Sequence, residues 1–203
     1  MHVFLETERL ILRRFTEADV DNLVELDSDP AVMRFISGGP PTPRDEIERD
    51  YIPAYLGYYD RFEGFGFWAA IEKSSGEFVG WFHFRPLHGD TLDPPEVVEL
   101  GYRLKQATWG KGYATEGSQA LVARGFGEYG LKSIVAFTYG PHVASRRVME
   151  KVGMRLTRTF RLTPEELLEE LGVTDPSLFP EDDVEYTLTR DEWALQHSPV
   201  RPA

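Results

Sequence analysis

Residues 109–116 read Trp-Gly-Lys-Gly-Tyr-Ala-Thr-Glu and stand between a strand-like run over 97–104 and a helix-like run over 114–129. Two glycines one residue apart let a backbone approach a ligand closely. The helix that follows presents unpaired N–H groups and the positive end of its dipole to an anion. Such a turn is either a phosphate cradle or a bare tight connection between strand and helix. It is not a P-loop, because that motif needs Lys followed directly by Ser or Thr, and Lys111 is followed by Gly112.

Upstream of the turn, residues 9–15 read as a first strand, and Thr16 suits the N-cap of a helix whose Val20, Leu23, Val24 and Leu26 fall at helical spacing. Asp29-Pro30 stops or restarts it. A short helix over 30–35 then meets the loop Gly38-Gly39-Pro40-Pro41-Thr42-Pro43. Over 45–62, Ile47, Tyr51, Tyr55, Tyr58 and Phe62 recur as on one face of a helix that Pro53 kinks or ends. That stripe is core packing or a substrate wall, core being the commoner use. Strands over 65–71 and 77–85 flank Lys73-Ser74-Ser75-Gly76 as a hairpin. His83, in the second of them, is given no catalytic role, since a lone strand histidine is usually structural. An irregular loop over 86–95 leads to a strand over 96–104 and so into the glycine turn.

Downstream, Ala114, Gly117, Leu121, Val122, Gly125, Phe126 and Tyr129 share one helix face whose small residues permit close packing on a sheet. Gly130 suits a left-handed cap. Next come a strand over 131–138, a helix over 142–152 closed by Gly153 and a strand over 154–162. Thr163-Pro164-Glu165-Glu166 then caps a helix ending at Gly172. A Pro-rich acidic loop over 175–183, a strand over 184–188 and a helix capped by Thr189 and Glu192 close the chain. Strands alternating with helices are α/β grammar, here in one domain over 1–196 with a mobile tail over 197–203.

Composition narrows the function. The 22 Lys and Arg against 34 Asp and Glu leave a formal charge of -12, which repels phosphate backbones and makes nucleic acid an unfavourable partner. The same field attracts a cationic amine, although an acidic surface also serves plain solubility. With no cysteine there is no disulfide, thiolate nucleophile or sulfur zinc site, and five scattered histidines suggest no metal centre. No apolar run is long enough to cross a bilayer, and the start lacks the pattern of a signal peptide, so the expected location is the cytoplasm. The aromatic surplus leaves room for a homodimer interface.

Three separated stretches resemble the GNAT N-acetyltransferases, and within them the RimJ/RimL branch. They are Glu6-Thr-Glu-Arg-Leu-Ile-Leu-Arg-Arg-Phe15 with Asp29-Pro-Ala-Val-Met-Arg-Phe35, then Glu99-Leu-Gly-Tyr-Arg-Leu104 with the glycine turn, then Ser145-Arg-Arg-Val-Met-Glu-Lys-Val-Gly-Met154. The closing Arg190-Asp-Glu-Trp193 is also similar to the family's end. The resemblance spans nearly the whole chain. It implies a curved mixed sheet flanked by helices, with two central strands splayed to admit acetyl-CoA, and CoA as product. Two departures stand out: Trp109 occupies the family's usual Gln or Arg position, and His142 its usual Asn.

The resemblance also implies roles. Backbone of Tyr102, Arg103 and Leu104 would pair with pantetheine like an added strand. Trp109, Gly110, Lys111, Gly112, Tyr113, Ala114 and Thr115 would hold pyrophosphate, the Lys111 side chain being either a phosphate contact or simply solvated, and His142 and Ser145 would lie beside the arm. Glu99 is the candidate general base, directly or through water, against a reading as a structural or solvated carboxylate. Ser145 is the candidate acid for the leaving sulfur or else a helix cap, with Tyr139 and His142 as alternates. The expected activity is acetyl transfer to a primary amine of a protein terminus, peptide, antibiotic or metabolite. The alternative is a catalytically silent acyl-CoA-binding sensor or assembly module. The acceptor walls would be segments 38–66, 86–95 and 162–183.

Overall fold

The computed structural model describes residues 2–87 and 95–198. Eight strands, β1 (Val3–Glu6), β2 (Leu10–Arg14), β3 (Gly66–Glu72), β4 (Phe78–Pro86), β5 (Val97–Leu104), β6 (Ser133–Tyr139), β7 (Arg155–Phe160) and β8 (Asp183–Thr189), form one sheet in the order β1-β2-β3-β4-β5-β6-β8-β7. Neighbours run antiparallel except β5 and β6. That parallel pair is short: Val97, Val98 and Glu99 match Ser133, Ile134 and Val135. Beyond it β5 continues to Leu104 against β4, while β6 continues to Tyr139 against β8. Two strand edges thus part at the middle of the sheet, and a peptide edge without a partner strand must find other hydrogen bonds.

The helices are α1 (Val20–Asp27), α2 (Pro30–Met33), α3 (Arg44–Glu46), α4 (Ile52–Arg61), α5 (Tyr113–Gly127), α6 (Val143–Lys151), α7 (Pro164–Leu171) and α8 (Arg190–His197). Burial divides them between the two faces of the sheet. Phe82, Phe84, Val98 and Leu100 join Leu121, Val122 and Phe126 of α5 and Met149 of α6 in the main core. On the opposite face Phe67, Trp81 and Phe78 pack with Leu23 and Leu26 of α1, and with Ile47, Ile52 and Tyr55. The aromatic stripe of 45–62 is therefore mainly core. A smaller cluster, Tyr139, Leu167, Val173 and Phe179, covers the far end of β6.

The small residues of α5 set its distance from the sheet. A Cβ built on Gly117 would lie 2.3 Å from the Phe82 ring, and one on Gly125 would lie 2.7 Å from the ring of Phe84. Gly117→Ala is therefore expected to cost about 1–3 kcal/mol of stability by overpacking. Helix propensity alone would favour alanine by about 1 kcal/mol. A thermal melt at least as high as that of the parent would contradict the close approach.

Several expectations are corrected. Val3–Glu6 forms an extra strand, too short to show a pattern until β2 supplies its partner. The helix expected over 45–62 is interrupted by a π-helical turn, Ile47–Tyr51, before Pro53 enters near the start of α4. A proline there has no N–H to donate, and the wide turn accommodates the break. His197 belongs to α8 rather than to a tail, while residues 199–203 lie outside those described. The capping boxes at Thr163 with Glu166 and at Thr189 with Glu192 form as expected.

Candidate functional site

The gap between β5 and β6 ends at the glycine turn. Gly110 and Gly112 adopt φ of +74° and +86°, and Gly112 caps the 15-residue α5. Only glycine enters that region without strain. Among the described residues, the N–H groups of Gly110, Lys111, Gly112, Tyr113, Ala114 and Thr115 donate to no backbone carbonyl, and the first helical bond is Glu116 N–H to the carbonyl of Gly112. A Cβ on Gly110 would meet nothing within 4 Å. The result is an open cradle of donors at a helix N-terminus, suited to pyrophosphate. The Lys111 side chain is exposed.

The cradle is braced from the amino-terminal hairpin, which the sequence did not announce. Glu116 accepts from Thr7 Oγ1 at 2.6 Å, from the Arg9 backbone N–H at 2.8 Å and from Arg9 Nε at 2.7 Å. Arg9 Nη1 donates to the Lys111 carbonyl at 2.9 Å, and the guanidinium lies 4.6 Å above the Tyr113 ring. Tyr113 is itself buried and donates to Glu72. Its backbone N–H faces the cradle while its side chain anchors the turn to the β3–β4 hairpin. Trp109 is half-exposed and donates its indole N–H to the Leu104 carbonyl at 2.8 Å, tying the turn to the end of β5.

Side chains of β5 alternate about the strand, and the two faces carry different chemistry. On the α5 and α6 face, the buried Tyr102 hydroxyl donates to the Ser145 carbonyl at 3.0 Å and stands 3.1 Å from Ser145 Oγ. Burial pushes the Tyr102 phenol up, so it keeps its proton. Ser145 is not a helix cap: α6 begins at Val143 with His142 in the cap position, which places Ser145 inside the first turn.

On the α1 and α4 face, Glu99 is largely buried between two partners from β4. Arg85 donates to Oε2 through Nε at 3.1 Å and Nη2 at 2.8 Å, and His83 Nε2 lies 3.2 Å from Oε1. The imidazole is near enough for an ion pair but is not aligned for a hydrogen bond, so Nε2 is buried without a hydrogen-bond partner. Burial would push the Glu99 carboxyl up, yet His83 and Arg85 outweigh it and hold its pKa at about 2. Burial pushes His83 below its ordinary value, which leaves it neutral at pH 7. Of the two partners, then, Arg85 supplies charge at neutral pH, and His83 supplies it only when protonated.

Three further sequence-predicted positions complete the picture. Arg103, expected to contribute backbone alone, extends Nη1 to both oxygens of the buried Asp27 at 2.7 Å, and Thr42 Oγ1 donates to Asp27 at 2.9 Å. His142 stacks on Phe35 with ring centroids 4.3 Å apart, and burial keeps it neutral. Tyr139 packs against Phe179 and accepts the Glu181 N–H at 2.9 Å, which is a structural use. The expected acceptor wall over 86–95 falls mostly on residues 88–94, outside the described ones.

Comparison with known proteins agrees with this geometry. A family model described as an acetyltransferase (GNAT) domain matches residues 9–155. FsC-acetyl coenzyme A-N(2)-transacetylase of Aspergillus fumigatus is 31% identical over 200 residues, 96% of this chain and 80% of that protein. Among solved structures, an acetyltransferase (GNAT family) from Bacillus anthracis has a TM-score of 0.73 at 26% identity, over 94% of this chain and 99% of its own. RimL, a ribosomal L7/L12 alpha-N-protein acetyltransferase in complex with coenzyme A, has a TM-score of 0.72 at 18% identity, over 94% and 99%, a likeness of fold.

Proposed function

The chain belongs to the GNAT acetyltransferase family and is an N-acetyltransferase that uses acetyl-CoA, and we propose that its acceptor is a primary amine held on the Glu99 side of the parted strands. The observation that carries this reading is the parting of β5 from β6 after Glu99 and Val135, directly upstream of the Gly112-capped helix. Pantetheine fits against the free edge of Tyr102, Arg103 and Leu104, and pyrophosphate fits the N–H cradle of residues 110–115. Acetyl-CoA supplies the thioester. Everything else is done by this chain.

An amine is a nucleophile only after losing a proton, and a lysine-like ammonium with a pKa near ~10.4 needs more help than a terminal amine near ~8. Glu99 is the carboxylate placed to draw in the ammonium and take part in removing its proton. The hydroxyl pair of Ser145 and Tyr102, on the other face of β5, is placed to donate towards the leaving sulfur. The net charge of -12 favours a cationic acceptor. The Aspergillus relative, FsC-acetyl coenzyme A-N(2)-transacetylase, is named for transfer to a nitrogen, N(2), which favours an amine acceptor. A protein terminus, as for the ribosomal L7/L12 alpha-N-protein acetyltransferase RimL, is the second acceptor type to try.

Thiol release from acetyl-CoA is expected with at least one member of a panel of diamines, amino-acid derivatives, peptide amino termini and lysine peptides. Acetyl-CoA at 100 times its dissociation constant should stabilise the fold by about 2.7 kcal/mol. Read by differential scanning fluorimetry, an unchanged melting temperature at saturating acetyl-CoA would defeat the proposed cradle. Release with no amine in the panel would defeat the amine acceptor.

A further inference from the structure

The His83 imidazole has a position that packing alone does not require. It arises on β4 opposite Gly101 and lies across β5, where a Cβ on residue 101 would stand 2.4 Å from Nε2. A glycine inside a strand marks a close approach, and here the approaching group is this ring. Phe67 meets it edge-on and Trp81 stacks beside it, with centroids at 5.4 and 5.8 Å. The ring is thereby fixed with Nε2 uncommitted and 3.2 Å from Glu99 Oε1. A buried polar atom without a partner is costly, and in a native site that calls for an explanation.

Building on the amine-acetylation reading above, we propose that His83 is the proton store behind Glu99, receiving on Nε2 the proton that the acceptor ammonium gives up. Glu99 stands at the last β5–β6 pair, where the strands part, but, clamped by Arg85, holds a proton too weakly to keep one taken from an amine. Burial keeps His83 neutral, and in the tautomer protonated on Nδ1 its Nε2 has a lone pair to offer. The proton crosses Glu99 to Nε2, and the imidazolium so formed rests against the carboxylate anion. The neutral amine then forms its bond to the acetyl carbon as the carbon–sulfur bond breaks. Its second proton ends on the departing thiolate, and the imidazolium later returns its own proton to water. Charges facing the ring are Glu99 and Arg103 of β5 and Arg85 of β4, with Asp27 of α1 balancing Arg103. Tyr55 and Tyr58 of α4 pack on Phe67 beside it, and burial pushes the Tyr55 phenol up, so it keeps its proton.

The test compares the parent with His83→Gln and Glu99→Gln, each first shown to fold and to bind CoA. In the parent, kcat/KM should fall on the acid side as the imidazole becomes protonated in the free enzyme. His83→Gln should lower kcat about 100-fold, remove that acid limb and leave the KM for acetyl-CoA unchanged. Histidine-labelled protein gives a readout without turnover: the His83 ring should titrate below free histidine in the parent and lower still in Glu99→Gln. Parental turnover with an intact acid limb in His83→Gln overturns this role while leaving the acetylation reading standing. So does a ring that titrates like free histidine in both proteins. A parent that is silent with every amine defeats the acetylation reading and this role with it.

Discussion

Replacing Asp27 with alanine is expected to lower the unfolding free energy by about 3–5 kcal/mol, a larger loss than most core truncations of its size. Asp27 is 1% exposed at the end of α1, and both its oxygens accept from Arg103 Nη1 at 2.7 Å. Arg103 lies over the Trp81 ring at 5.1 Å, and its Nε is buried without a partner. Removing the carboxylate strands a guanidinium that cannot lose its proton, and desolvation of an unpaired charge sets the cost. In a chain of this length the melting temperature should fall by roughly 6–20 °C. The double variant Asp27→Leu with Arg103→Met should recover most of the loss, because an apolar pair leaves nothing unpaired. A loss under about 1 kcal/mol for Asp27→Ala would show that water reaches Arg103.

That ion pair also shows what could and could not be read from the sequence. Features set by neighbours along the chain were legible. They include the Thr163 and Thr189 capping boxes, the turn at Gly76, the αL glycines at 130 and 153, and the small face of α5. Each depends on residues within about one helical turn, where spacing carries the information. Contacts made by sheet register were not legible. His83 and Arg85 reach Gly101 and Glu99 because β4 and β5 pair in one particular register, which the strand bounds alone do not fix. The one available signal was Gly101 inside a strand. Ser145 reads as a possible cap although residues 142–152 read as one helix; α6 starts at Val143, so Ser145 lies within its first turn. The resemblance named the family's places for the cofactor. It could not show that Arg9 and Glu116, over 100 residues apart, brace the cradle.

Glu99→Gln is expected to reduce kcat by about 10²–10³-fold while acetyl-CoA binding is kept, since the cradle at residues 110–115 lies beyond the end of β5 and does not include this side chain. The amide keeps the shape and can still meet Arg85, but it cannot carry the charge that draws in an ammonium and passes on its proton. Stability should respond in the opposite sense to pH. In the parent, a carboxyl held at about 2 against ~4.3 in an unfolded chain stabilises the fold fully above the unfolded value, and that contribution is lost as pH falls through about 2. Glu99→Gln has no such group, so its melting temperature should lie below the parent's at pH 7 and approach it on acidification. Steady-state kinetics with isothermal titration of CoA, and melts from pH 7 to pH 3, read the two effects separately. A variant with parental kcat would remove Glu99 from proton transfer. A stability gap that stayed constant down to pH 3 would instead mean that its charge contributes nothing to the fold, leaving shape alone as its structural role.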